Sequence, residues 1–459
     1  MKNNLITFIL FLIFSNTAIA NITLPNVFSD NMVLQRNTEV KIWGWANPQE
    51  EVVISPGWNN EKYKIKANNQ AMWEIVIPTP KEGGPYTINI KGYNEIVLKN
   101  ILIGEVWLCS GQSNMEMSAS WGIKNGDDEV KKAINSSIRF FKVPKLTATA
   151  PQNNLSGNWE ECTPESMKNF SAVAYFFAQR LQEDLKNVPI GLISSNWGGT
   201  AAEIWIPEGV VTQDSVLSAS AKKLKEQSYG PNQPGRAFNA MIYPLAGFKI
   251  AGAIWYQGES NVGSTSYNKT LSALIASWRT LWKNEFPFYF VQIAPYQYGE
   301  DNFSGVIIRD AQRRVLQEVP NTGMTVTTDI STIDDIHPKD KKTVGIRLAN
   351  LALANTYKTN NTLVNGPLFK NMEIDKNQIK VMFDYANGLH FSGKKSTQFE
   401  IAGSDNVFYE AVAVIKNNTV MLTSDKVKRP VKARFSWRNT AQSDLFNEAN
   451  LPASSFISE

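Results

Sequence analysis

Histidine is nearly missing from this sequence. Its 459 residues contain two, His337 and His390. No pair of histidines stands at metal-ligand spacing, which argues against a zinc hydrolase. Cysteine is equally scarce, with Cys109 and Cys162 alone. So few soft ligands make no metal site, and neither a metal nor another cofactor is expected. The two cysteines fit either a disulfide or two separate buried thiols. An excess of charge of one sign is lacking too: 46 Lys and Arg stand against 42 Asp and Glu, a net charge of +4. No basic run is dense enough for a nucleic-acid footprint. The cluster Lys426-Val427-Lys428-Arg429 reads as a solvated turn.

Long apolar runs are absent after the N-terminus. The first twenty residues have the form of an export leader. Met1-Lys2-Asn3-Asn4 supplies a positive start, residues 5–14 an apolar run, and Ala18-Ile19-Ala20 small residues before a cut after Ala20. The run is too short to span a bilayer comfortably, and no lipobox cysteine follows it. A secreted or periplasmic protein without stable membrane insertion is the expectation.

What is present suggests three regions after the leader. Residues 21–100 alternate apolar with polar positions between Gly, Pro and Asn turns, as in "TEVKIWGWA" and "MWEIVIP". This is the texture of a small antiparallel sandwich. Over residues 101–361, buried-strand runs such as "VPIGLISSNW" and "FKIAGAIWYQ" alternate with helical periodicity. The helix candidates are "FSAVAYFFAQRLQEDL", "YNKTLSALIASWRTLWKNEF", "GVIIRDAQRRVLQEV" and "DKKTVGIRLANLALANTY". That alternation predicts an α/β domain with a parallel sheet covered on both faces. Residues 362–459 return to β texture.

In a parallel sheet, ligands bind beyond the carboxyl ends of the strands. Four polar blocks follow the predicted strands: Gly111-Gln112-Ser113-Asn114, Asn196-Trp197-Gly198-Gly199-Thr200, Gln257-Gly258-Glu259-Ser260-Asn261, and Asp334-Asp335-Ile336-His337-Pro338. Their chemistry is complementary. A serine hydroxyl needs a base within hydrogen-bond reach, and a histidine oriented by a carboxylate supplies one. Glycine backbone and Asn or Gln side chains can bind a developing oxyanion. Ser113 is the candidate nucleophile and His337 the candidate base. Asp334 is the carboxylate at Asp-x-x-His spacing. Met115 stands where a Gly-x-Ser-x-Gly elbow would need its second glycine, so this is not an α/β-hydrolase elbow.

The stretches "GEVWLCSGQSNMEM", "NWGGTAAEIW", "AGAIWYQGESN" and "DDIHPKDK" resemble the sialate O-acetylesterase family of the SGNH hydrolase superfamily. The likeness extends to "FSAVAYFFA" and "FEIAGSDNVFYEAVAVI", and so over most of the chain. It implies a flavodoxin-like three-layer α/β/α core with accessory β-sandwich-like regions at both ends. It also implies a serine esterase that removes O-acetyl groups from an acetylated carbohydrate, foremost O-acetylated sialic acids. Carried over, Ser113 is nucleophile and His337 general base. The Ser113 and Gly199 N–H groups, with Gln257 or Asn261, form the oxyanion hole. Asp334 completes the triad, with Asp335, Asp329 or no carboxylate as alternatives.

A sialate carboxylate would be served by a bidentate arginine, for which Arg309, Arg236 and Arg313 are candidates. Trp197, Trp205 and Trp255 are candidates for stacking on a sugar, with Trp255 favoured as core. Glu259 and Glu203 are candidates for its hydroxyls. An acetylxylan or other hemicellulose acetylesterase is the alternative activity. A non-catalytic carbohydrate-binding protein is the alternative from another class.

Overall fold

The computed structural model describes residues 21–359 and 361–458. The expected leader and its cut after Ala20 lie outside them. Six strands build the central sheet: β1 (Glu95–Gly111), β2 (Asn135–Lys142), β3 (Ile190–Asn196), β4 (Gly252–Tyr256), β5 (Phe288–Val291) and β6 (Thr322–Thr325). Their order is β6-β5-β4-β1-β3-β2, and every neighbouring pair is parallel. An antiparallel strand, Trp159–Cys162, closes the β2 edge. With β2 set aside as an added edge, the order is the 2-1-3-4-5 of flavodoxin-like sheets, whose ligand crevice lies where the winding reverses. That crevice falls between the ends of β1 and β4.

Helices cover both faces, as the periodicity predicts. One layer is α2 (Ala172–Asp184) and α5 (Lys341–Asn355); the other is α3 (Tyr267–Trp282) and α4 (Ser304–Glu318). The short α1 (Ser113–Glu116) follows β1 directly. Two apolar cores lie on the two sides of the sheet. Val173, Phe177, Val344 and Leu348 belong to one; Leu271, Trp278, Ile308 and Val315 belong to the other.

Strand β1 serves two sheets. From Glu95 to Asn100 it alternates in exposure and pairs with the N-terminal strand Gly83–Lys91. From Ile101 to Gly111 it is buried throughout, as a central parallel strand covered on both faces must be. Position 100, where the sequence texture changes, therefore lies inside one continuous strand. The rest of the N-terminal region adds the antiparallel pair of Glu39–Trp45 and Met72–Pro78, and the strands Glu51–Pro56 and Tyr63–Lys66, which continue the sheet from Gly83–Lys91. The C-terminal region holds two four-stranded antiparallel sheets around its own core. Cys109 and Cys162 are both buried and free. Burial pushes both thiols up, Cys162 to about 12, so neither is a ready thiolate.

Candidate active site

The four polar blocks meet at the carboxyl edge of the sheet. The Gly111 carbonyl accepts the Trp197 N–H at 3.0 Å. Gln112 Oε1 accepts the Ser260 N–H at 3.1 Å, so the first block grips both the second and the third. Gly111 sits at φ +142°, and a Cβ there would strike the Tyr256 carbonyl on β4. Only glycine lets β1 and β4 approach this closely while the chain turns into α1.

Ser113 opens α1, half-buried at the crevice. His337 reaches it from the loop before α5, which starts at an Asp340 N-cap accepting the Thr343 N–H at 3.0 Å. His337 Nε2 lies 2.9 Å from Ser113 Oγ across 224 residues of sequence. On the other side of the ring, Asp335 Oδ1 stands 3.9 Å from Nδ1 and accepts the His337 backbone N–H at 2.8 Å. This corrects the expectation from Asp-x-x-His spacing. The stretch is a tight turn and not an extended strand, so the residue two positions back faces the ring. Asp334 is exposed, and Asp329 is paired with Arg347 at 2.6 Å.

Burial, and next the charge of Lys341, hold the His337 imidazole below its ordinary 6.5, against the opposing pull of Asp335. A neutral imidazole can accept a proton from Ser113, which is the state a general base requires.

Beside the pair, the Gly198 N–H donates to Glu116 Oε2 at 2.7 Å, and Lys145 holds the other oxygen of that carboxylate at 2.6 Å. Among the described residues, the Ser113 and Gly199 N–H groups have no hydrogen-bond partner. Gly199 takes φ +75°, and a Cβ there would strike the Tyr229 ring. The expected Gln257 donor is otherwise engaged. Its amide hydrogens go to the Thr200 carbonyl at 3.2 Å and to Asn261 Oδ1 at 2.7 Å, while its oxygen accepts from the Tyr267 hydroxyl. Gln257 instead orients Asn261. That residue gives one N–H to Glu203 at 2.8 Å and retains a second.

A family profile described as "carbohydrate esterase, sialic acid-specific acetylesterase" matches residues 103–354. The chain belongs to this family. Along its length it is 30% identical to a sialate O-acetylesterase of Pongo abelii, over 94% of this chain and 91% of that one. The human sialate O-acetylesterase is 31% identical over 82% of this chain and 78% of its own. A solved carbohydrate acetylesterase from Xanthomonas citri is 33% identical, covers 96% of this chain and 100% of its own, and superposes with a TM-score of 0.87. The protein is a carboxylic ester hydrolase acting on O-acetyl sugars.

Several groups expected to meet the sugar lie elsewhere in this carbohydrate esterase. Arg309 is fully buried and donates to the carbonyls of Arg438 and Asn439 and to Ser455 Oγ. It ties α4 to the C-terminal region, because a buried guanidinium must satisfy its forked donors with fixed acceptors. Arg313 pairs with Asp310, and Arg236 with Glu208. Trp205 and Trp255 are fully buried core. Trp197 is half-buried, and its indole N–H holds the Tyr229 carbonyl at 2.7 Å. Glu203 accepts from Asn261 and Ser220, and Glu259 turns inward to Asn114.

A cavity of about 300 Å³ opens beside Gly199, Ser260 and Asn261, and Lys223 and Lys225 are among its walls. Asp335 is one of the alternative carboxylates read from the sequence; Glu116 and Lys341 lie within the resembling stretches but have no role assigned by them, and Tyr229 lies outside them. Among the described residues, no helix is long and apolar enough to cross a membrane.

Proposed function

We propose that this esterase removes O-acetyl groups from sialic acids by acyl transfer through Ser113. The observation that carries the mechanism is the 2.9 Å approach of His337 Nε2 to Ser113 Oγ, beside two N–H groups without partners. Ser113 Oγ attacks the acetyl carbonyl while its proton passes to His337 Nε2. The oxyanion is bound by the Ser113 and Gly199 N–H groups and by the second N–H of Asn261. Collapse of the tetrahedral species breaks the bond to the sugar oxygen, which takes the proton from His337. A water then gives its proton to His337 and attacks the acetyl-serine. Acetate leaves and Ser113 recovers its proton. Asp335 orients the ring and stabilises the imidazolium that forms at each step.

The choice of sialic acid rests on the family profile and on the sialate O-acetylesterases among its relatives. Among the described residues no arginine lines the cavity, and Lys223 and Lys225, which do, are our candidates for attracting the sugar carboxylate. Residues 1–20 act as a leader removed on export.

Three measurements test this reading. Ser113→Ala and His337→Ala should each abolish acetate release from a chromogenic acetyl ester without lowering Tm. Normal turnover by His337→Ala would overturn the mechanism. Acetate release should be faster from O-acetylated sialic acid than from acetylated xylan; the reverse order would make the protein a hemicellulose acetylesterase. The mature chain isolated from the extracytoplasmic fraction should begin at Asn21 by mass.

A further inference from the structure

Directly behind Ser113 and His337 lies an ammonium group that the mechanism above does not use. Lys341, the first residue of α5, is fully buried. Its neighbours in sequence are paired at the surface, Lys339 with Asp335 and Lys342 with Glu129. Lys341 has no ion pair of its own among the described residues. Its Nζ donates to Asn114 Oδ1 at 2.5 Å and lies 5.1 Å from the centre of the Tyr256 ring. A buried cation with so little compensation is costly to keep, and burial pushes its pKa down to about 7.

Its single acceptor among the described residues is the one next to the nucleophile. Asn114 gives its two amide hydrogens to Glu259 Oε1 at 2.5 Å and to the Ile336 carbonyl at 3.0 Å. Ile336 is in turn the residue before His337. As an ammonium Lys341 can only donate, and in that state its position obliges the Asn114 carboxamide to present oxygen on that side and nitrogen towards the Glu259 and histidine loops. One side chain therefore links the serine turn, the loop after β4, the histidine loop and α5.

The titratable groups around this link come from every element packed on it. Tyr256 and Glu259 face it from β4 and the loop that follows, and Asp335, His337 and Lys339 from the histidine loop. Burial raises the Glu259 carboxyl, and its Oε1 is held by Asn114 and not by the ammonium.

We infer that Lys341 is a positioning residue of the esterase: it locks Asn114 between the nucleophile turn and the histidine loop, and its charge opposes formation of the His337 imidazolium. The inference rests on the reading of Ser113 and His337 as nucleophile and base.

The scarcity of histidine makes a direct test possible. In a His390→Asn background, the remaining imidazole NMR signal of the full chain belongs to His337. Lys341→Met removes the charge and the hydrogen bond; Lys341→Gln removes the charge but keeps a donor. In both, the His337 midpoint and the acid limb of kcat/KM should move up by about 0.3 pH unit or more. In Lys341→Met, kcat should also fall about tenfold or more with KM changed less than about threefold, the pattern of an interaction made in the transition state. Lys341→Arg should restore the midpoint. A midpoint in the charge-removing variants that stays within about 0.3 unit of the parent, or moves down, overturns the inference; a purely structural role would lower activity without moving it. If neither variant folds, Lys341→Arg decides: with the charge kept, a His337 midpoint within about 0.3 unit of the parent supports the inference, and one raised by more than that overturns it. Fluorophosphonate labelling of Ser113 in the parent tests the underlying reading separately. A labelled parent with unmoved variants removes only the role of Lys341.

Discussion

Asp335 binds His337 twice, accepting its backbone N–H at 2.8 Å and holding a carboxylate oxygen 3.9 Å from its Nδ1. The first contact fixes the turn and the second aims the charge at the ring. Asp335→Asn should therefore lower kcat/KM about 10²-fold. That is less than the ~10⁴-fold cost of a carboxylate in direct contact, because 3.9 Å is an ion-pair distance and not a hydrogen bond. Asp334→Asn should change kcat/KM less than about twofold, since that side chain is exposed. Steady-state kinetics of the two variants separates the positions, and equal losses would refute the role of Asp335.

The pH profile should follow His337. Burial, then Lys341, hold its imidazole below 6.5, so the neutral base persists to more acid conditions than a free histidine would allow. The acid limb of kcat/KM should have its midpoint below pH 6.5. The same shift affects stability. The folded state binds this proton less readily than the unfolded chain, so the contribution of His337 is retained above the unfolded 6.5 and is lost as pH falls from there through the lower folded value. A kcat/KM profile from pH 4 to 8 checks the first statement, and Tm over the same range in parent and His337→Gln checks the second.

Gly199→Ala should impair chemistry more than folding. The backbone there is left-handed, and a methyl group would strike the Tyr229 ring. Tyr229 is exposed and can swing aside, but the Gly199 N–H would turn from the oxyanion. The expected loss is ~10²–10³-fold in kcat, the usual cost of one oxyanion donor, with KM changed little. Single-turnover kinetics would show the loss in the acylation step. A loss confined to KM would contradict this role.

Arg309→Met should have the opposite character. The guanidinium is buried, with its pKa pushed down to about 10, and its contacts are carbonyls and a serine of the C-terminal region. Removing it takes one donor from each of those carbonyls, which keep only the Ala441 and Tyr296 N–H groups, at a cost of about 1.5–3 kcal/mol, the worth of hydrogen bonds from a charged group. Chemical denaturation should show that loss, while kcat/KM of the folded fraction stays within about twofold. An unchanged denaturation midpoint with a raised KM for sialic acid substrates would instead place Arg309 at the sugar.

Much of this enzyme was legible in its sequence. The helical repeats at residues 170–185, 267–286, 305–319 and 340–357 correspond to α2, α3, α4 and α5, because a face that must be buried imposes its period on the sequence. The all-apolar runs are the strands of the central sheet for the same reason. Two histidines, and four polar blocks at predicted strand ends, point to Ser113 and His337 from the sequence alone.

Other features depended on three-dimensional placement. Whether Asp334 or Asp335 faces the imidazole turns on a local backbone conformation that adjacent identical residues do not reveal. Arg309 and Glu259 have the chemistry of ligand-binding groups, but packing turns both inward, where their partners are protein atoms. Gln257 is polar and adjacent to the site, yet its hydrogens are taken up by Thr200 and Asn261. Lys341 looks in sequence like one more charged residue at a helix start. It is buried behind the nucleophile because α5 begins there, next to residues more than two hundred positions away. Periodicity and residue type are local properties and can be read along the chain. Which donor meets which acceptor is set by the folding together of distant segments.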